Sequence, residues 1–152
     1  MIKMKDLRKL QKEVAEYLGI DPLPIKFEDL GDEDSRLYLK EEYVGINVKC
    51  KNDYLECAKS ITHEYRHVFQ IFYVHLFNDE RAIRWKKILA AQINSSTMNE
   101  DGSNYINQEL EIDAFAFTKF YLHKYEDIDV KNKVEGLDNY LDEYIMNNIR
   151  IM

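Results

Sequence analysis

Apolar residues recur every three or four positions from Met4 to Leu18, with Leu7, Leu10, Val14, Tyr17 and Leu18 on one stripe. That period predicts an amphipathic helix, and Gly19 supplies its stop. Asp21-Pro22-Leu23-Pro24 is a stiff connector, because a residue before proline avoids the helical region. Short stretches of strand composition follow at Ile25 to Leu30, Arg36 to Lys40 and Tyr43 to Val48. The acidic turn Gly31-Asp32-Glu33-Asp34 separates the first two. Glu41-Glu42 is a short connection that would pair the last two, although it lacks the Asn-Gly chemistry of a good hairpin.

From Asp53 the helical period returns. Asp53 as N-cap, with Glu56 three residues on, resembles a capping box and opens a helix that runs to about Phe77. Leu55, Ala58, Ile61, Tyr65, Val68, Phe72 and Leu76 form its core stripe. Beyond Val68 apolar residues cover nearly every face, which predicts a helix inside the domain. Asp79 to Ile93 reads as a third helix and Tyr105 to about Lys124 as a fourth. Glu135 to Asn148 is a fifth, with Leu137, Leu141, Tyr144 and Ile145 on one face. Asn94 to Asn104 is the clearest loop, and Glu126 to Lys133 is a polar break. Strands early and helices late give an α+β class: a small three-stranded sheet, antiparallel or mixed, packed on a mainly helical body with a central helix. With no internal repeat and 152 residues, the chain reads as one domain spanning residues 1–152, long enough to bury a core.

Composition narrows the function classes. The formal net charge is −7, and the basic stretches Lys3 to Lys12 and Arg81 to Lys87 are interleaved with acids and apolar residues. Nucleic acid as a partner is therefore not expected, since phosphate binding wants clustered Lys and Arg. No run approaches the length that spans a bilayer, and Met1 to Leu10 lacks the apolar region of a secretory signal. The expected compartment is the cytoplasm. Cys50 and Cys57, the only cysteines, are expected as reduced thiols.

The candidate chemistry lies on the second helix. His63-Glu64-Tyr65-Arg66-His67 reads H-E-x-x-H. Residues i and i+4 share a helix face, so both imidazoles can reach one Zn²⁺ ion. Glu64 is turned about 100° from His63, beside the open position of such an ion, where it can act as general base on a zinc-bound water. Two histidines on a buried helix also need partners, because unpaired buried polar groups are costly.

A catalytic zinc site needs a third protein ligand. The metzincin spacing would require glycine and histidine where the chain has Gln70 and Tyr73, so that pattern is excluded. His123, alone near the end of the fourth helix, reads as a surface or helix-end residue. Glu109 and Asp113 are i and i+4 in an otherwise apolar helix, and two carboxylates in such surroundings require a cation or a donor. Zn²⁺ is the expected partner of Glu109, and a histidine ring N–H that of Asp113. Glu111 is turned about 200° from Glu109. A different helix phase would make Glu111 the ligand instead.

With these residues in view, His63-Glu64-x-x-His67 followed by Glu109-x-x-x-Asp113-Ala114 resembles the gluzincin pattern of zinc metallopeptidases. The short length and the run from Glu109 to Ala116 are most similar to minimal gluzincins and to ImmA/IrrE-type phage and stress peptidases. The chain departs from the latter in having Asp113 where they commonly show Asn, and in lacking a helix-turn-helix segment. The resemblance implies a zincin-like fold, one Zn²⁺ held by His63, His67 and Glu109, Glu64 as the catalytic base, Asp113 supporting a ligand, and a peptide or protein as substrate. It also implies that Tyr43 to Val48 is the edge strand to which an extended substrate adds, at Val44, Gly45, Ile46 and Asn47. Such an edge offers free N–H and C=O groups, and Gly45 would let another backbone come close. Tyr140 and Tyr144 are candidates for the oxyanion donor. The competing reading is a catalytically restricted zinc-binding regulatory or protein-interaction module of peptidase ancestry.

Overall fold

The computed structural model describes residues 4–94, 105–131 and 137–149. The expected loop from Asn94 to Asn104 lies almost wholly outside the described residues, as do the last two positions, 132 and 133, of the expected polar break. Helix α1 is Met4–Leu18. Strands β1 (Ile25–Glu28), β2 (Ser35–Tyr38) and β3 (Tyr43–Asn47) follow, and a single 3₁₀ turn, Val48–Cys50, leads into α2, Tyr54–Leu76. Helices α3 (Glu80–Asn94), α4 (Tyr105–Glu126) and α5 (Leu137–Tyr144) complete the chain, with a π turn at Ile145–Ile149.

Local signals set the helix ends. Gly19 takes a φ of 73°, and the bonds Ile20 N–H to Ala15 O and Gly19 N–H to Glu16 O close α1 as a Schellman motif. Asp53 caps α2 by accepting from the Glu56 N–H at 3.2 Å. The reciprocal half of the capping box is not made: the Asp53 N–H donates to Cys50 O, and Glu56 pairs with Lys59. Asp79 caps α3 through the Ala82 N–H at 2.8 Å.

The fold is α+β with a mixed sheet. Strand β3 pairs in parallel with β1 and antiparallel with β2, giving the order β1-β3-β2. This corrects the expected edge strand. Tyr43 to Val48 supplies the middle strand, with Val44, Gly45, Ile46 and Asn47 all buried, and the edge beside α2 is β2. Gly45 makes room for side chains from its neighbours. A Cβ there would lie 3.0 Å from Tyr38 Cε2 and 3.2 Å from Glu28 Oε2. Asn47 is spent on the fold as well, its Nδ2 donating to the carbonyls of Gly31 and Glu33 and pinning the acidic turn.

Helix α2 runs through the middle, contacting α1, α3, α4 and the sheet. The core joins Leu7, Leu10 and Val14 of α1, Val44 and Ile46 of β3, Ile61 and Tyr65 of α2, Phe117 and Leu122 of α4, and Leu141 of α5. Burying each such side chain contributes roughly 1.5–3 kcal/mol. A smaller cluster of Val74, Trp85 and Leu110 ties α3 to α2 and α4. The stripe expected on α2 is only partly buried: Ala58, Ile61, Tyr65 and Val68 are inside, whereas Leu55, Phe72 and Leu76 are exposed. Leu55 lies in the first turn, and in the last turns α3 covers Val74 but leaves Phe72 and Leu76 open. No described helix is long and apolar enough to cross a membrane.

Cys50 and Cys57 are free and buried. The Cys57 thiol donates to the Cys50 carbonyl, and burial pushes its pKa up to about 11, so both act as packing residues and not as thiolate ligands.

Candidate metal centre

One face of α2 presents His63 and His67 to α4. Their Nε2 atoms are 3.1 Å apart. Glu111, on α4, meets both rings with its carboxylate: Oε2 is 3.1 Å from His63 Nε2 and Oε1 is 3.0 Å from His67 Nε2. Among the described residues this trio is the one group that could hold a metal ion. Ligands about 2.0–2.1 Å from a tetrahedral ion stand roughly 3.3–3.4 Å from one another; the two Nε2 atoms are near that spacing, and one ligand atom from each of the three residues lies within 4.8 Å of the others. Two imidazoles and one carboxylate are also a donor set that zinc takes in sites with an open fourth position. The residues present fit the ion.

Glu109, expected as the third ligand, is elsewhere. Its Oε1 accepts from Arg84 Nε of α3 at 2.6 Å. Asp113 does not reach a histidine. It is fully buried and accepts from Arg66 Nε at 2.6 Å, Arg66 Nη2 at 3.0 Å, Gln70 Nε2 at 2.8 Å and the Tyr144 hydroxyl at 2.9 Å. Glu109 and Asp113 did need cations, but those cations are arginines. Glu111, on the other side of α4, was left to face the histidines.

Comparison with family models, with curated proteins and with solved structures finds no match. The site therefore rests on its own geometry.

Burial alone would raise the Glu111 pKa, but hydrogen bonds from His63 and His67 outweigh it and hold the carboxyl well below the usual range. For His67, burial opposes the charge, and the Glu111 carboxylate, with Glu64 and Gln70 behind it, overrides burial and lifts the ring to about 9. Asp113 is penalised by burial too, yet the Arg66 guanidinium holds it low. Burial, then Asp113, pushes Tyr144 far up, so its hydroxyl stays protonated and donating.

Glu64 is buried beside the trio. Its Oε2 accepts from the Ser35 hydroxyl of β2 at 2.7 Å. His67 Nδ1 meets Gln70 Oε1 at 2.8 Å. Phe115, one turn beyond Glu111, packs on His63 with ring centroids 4.6 Å apart. Ser35, His63, Glu64, His67, Glu111 and Phe115 line a cleft of about 490 Å³ that also takes in Leu37, Thr118 and Val130. A larger cavity of about 910 Å³, bounded by Tyr17, Lys119, Phe120 and Ile149, is separate from the trio, and its Lys119 is paired with Asp138 and Asp142. Tyr140 is exposed and Tyr144 is committed to Asp113, and neither lines the cleft of the trio.

Sequence reasoning missed Glu111 as the first choice, and missed Ser35 and the roles of Gln70 and Arg66. One signal for the correct phase was available in Arg66. It lies inside the H-E-x-x-H run of a buried helix, and a buried arginine requires a carboxylate of its own.

Proposed function

We propose that this chain is a zinc-dependent peptidase with a gluzincin-like site on a zincin-like fold. His63, His67 and Glu111 hold the ion, and Glu64 is the general base. The observation that carries the reading is the convergence of two Nε2 atoms 3.1 Å apart, each within 3.1 Å of one oxygen of the Glu111 carboxylate, with the buried Glu64 carboxylate one residue beyond His63 on the same helix. Zinc bound there would polarise a carbonyl and supply a water acidic enough to attack near neutral pH. Glu64 takes the proton from the attacking water and returns it to the leaving amine. Ser35 keeps the receiving carboxylate aimed by donating to its Oε2. Phe115, Leu37 and Val130 give the cleft an apolar wall for a substrate side chain. An extended peptide would add along β2, which pairs with β3 on one side and borders the cleft on α2.

Zinc content of the purified chain, with peptide hydrolysis measured with and without chelator, tests this reading. Glu64→Gln should retain zinc and lower hydrolysis at least a hundredfold, in line with what a positioned base contributes. A fully active Glu64→Gln protein removes the mechanism, and a chain that takes up no zinc removes the site.

A further inference from the structure

We propose that Phe115 is a positioning residue for His63: its ring holds the plane of that imidazole and, with it, the direction in which Nε2 faces the cation. The two histidines of the trio are held differently. His67 is met at both nitrogens, by Gln70 Oε1 at Nδ1 and by Glu111 Oε1 at Nε2. Among the described residues His63 is met at Nε2 alone, by Glu111 Oε2 and His67 Nε2, each at 3.1 Å. Contacts at one atom fix where that atom lies and leave the ring plane to swing, because the outer torsion of a histidine is broad.

Phe115 supplies the second restraint. Helices α2 and α4 pass in opposite directions: Gln70 bonds the Leu110 carbonyl, His67 meets Glu111, and His63 meets Phe115. Glu111 and Phe115 are i and i+4 on α4, so they share a face. The same spacing separates His63 from His67 on α2, and the antiparallel crossing sets Phe115 level with His63. Their ring centroids are 4.6 Å apart and the planes are inclined by 54°, a spacing at which aromatic pairs attract. His67 stands nearly perpendicular to the same imidazole, at 85° and 4.7 Å. With a neighbour at each of two inclinations, the plane of His63 is restricted. Phe115 is not spent on the core. It is 47% exposed, belongs to neither apolar cluster, and has His63 as its one aromatic partner among the described residues.

The ordering of His63 stands on its own, and its consequence for zinc affinity rests on the proposed site. Side-chain ¹³C relaxation of chelator-treated protein reads ring order, with the exposed His75 and His123 as references for loosely held rings. In wild type His63 should be clearly more ordered than either. Phe115→Leu, apolar but without a ring, should loosen His63, leave His67 as it was, and bind zinc, added alone, about two- to tenfold more weakly, the worth of an aromatic pair. Phe115→Tyr should restore both properties, and both variants should melt with wild type, since Phe115 lies outside the core clusters. A wild-type His63 as loose as His75 overturns the proposal whether or not a variant folds. So does a folded Phe115→Leu protein with unchanged His63 order or, in a chain that binds zinc, with unchanged affinity. A wild type whose His63 is ordered by Phe115 but which takes up no zinc overturns the peptidase reading and leaves the role of Phe115 toward His63 in place.

Discussion

Ser35 and Glu64 are 29 residues apart in the chain, and their side chains meet at 2.7 Å, hydroxyl to carboxylate. The contact joins the edge of the sheet to α2 at the group proposed as the base. A hydrogen bond to a charged partner is worth about 1.5–3 kcal/mol, so its loss should be visible in turnover. Ser35→Ala should lower kcat roughly ten- to a hundredfold while zinc content stays unchanged, and Ser35→Thr should restore most of the loss. Full activity in Ser35→Ala would show that Glu64 needs no such support.

The two acids of α4 make opposite predictions. Glu111→Ala should lose zinc, since two histidines alone do not complete the site. Glu109→Ala removes only a partly exposed pair with Arg84, so it should keep full zinc stoichiometry and change stability by no more than about 1 kcal/mol. Metal analysis of the two purified variants side by side decides which glutamate is the ligand. Zinc lost from Glu109→Ala and kept in Glu111→Ala would reverse the assignment.

Asp113 carries a structural load. Truncating it leaves Arg66, which is fully buried, without its carboxylate. Removing one partner of a buried pair costs about 3–5 kcal/mol. In a domain of this size that lowers the Tm by on the order of 10 °C. Asp113→Ala should therefore melt well below wild type, by circular dichroism, and a wild-type Tm would mean that Arg66 finds another partner.

What could be read from the chain was local. Gly19 stopping α1, Asp53 opening α2 and the His63 to His67 spacing each depend on a few neighbouring residues, and each is found where the pattern puts it. What could not be read was the choice among partners distant in sequence. The composition of Tyr43 to Asn47 suits a middle strand as well as an edge one, and only the pairing of β1 and β2 on its two sides decides. Glu109 and Glu111 lie on different faces of one helix, and the choice between them depends on where Arg84 and Arg66 stand. Phe72 and Leu76 continue the apolar stripe of α2, but too little packs over its last turns to cover them.

The pH dependence follows from His67 and Glu111. In chelator-treated protein, folding raises His67 from its ordinary value of 6.5 to about 9, with Glu111 outweighing the burial that opposes the charge. A group whose pKa is raised by folding contributes stability that is complete below its unfolded value and fades as pH climbs through its folded one. Glu111 acts in the other direction: lowered from its ordinary 4.5, it contributes above that value and loses the contribution as pH falls. The pair is thus at its strongest between roughly pH 4.5 and 6.5. The Tm of the chelator-treated protein should decline from about pH 6.5 to 9. Zinc must displace the His67 proton, so its apparent affinity should climb over the same interval, by up to about tenfold per pH unit for one proton released. The zinc-loaded protein, with the ion in place of the proton, should lose most of the Tm decline. Calorimetry with and without zinc across that range measures both effects. A Tm independent of pH in the chelator-treated protein would mean that Glu111 does not hold His67 charged.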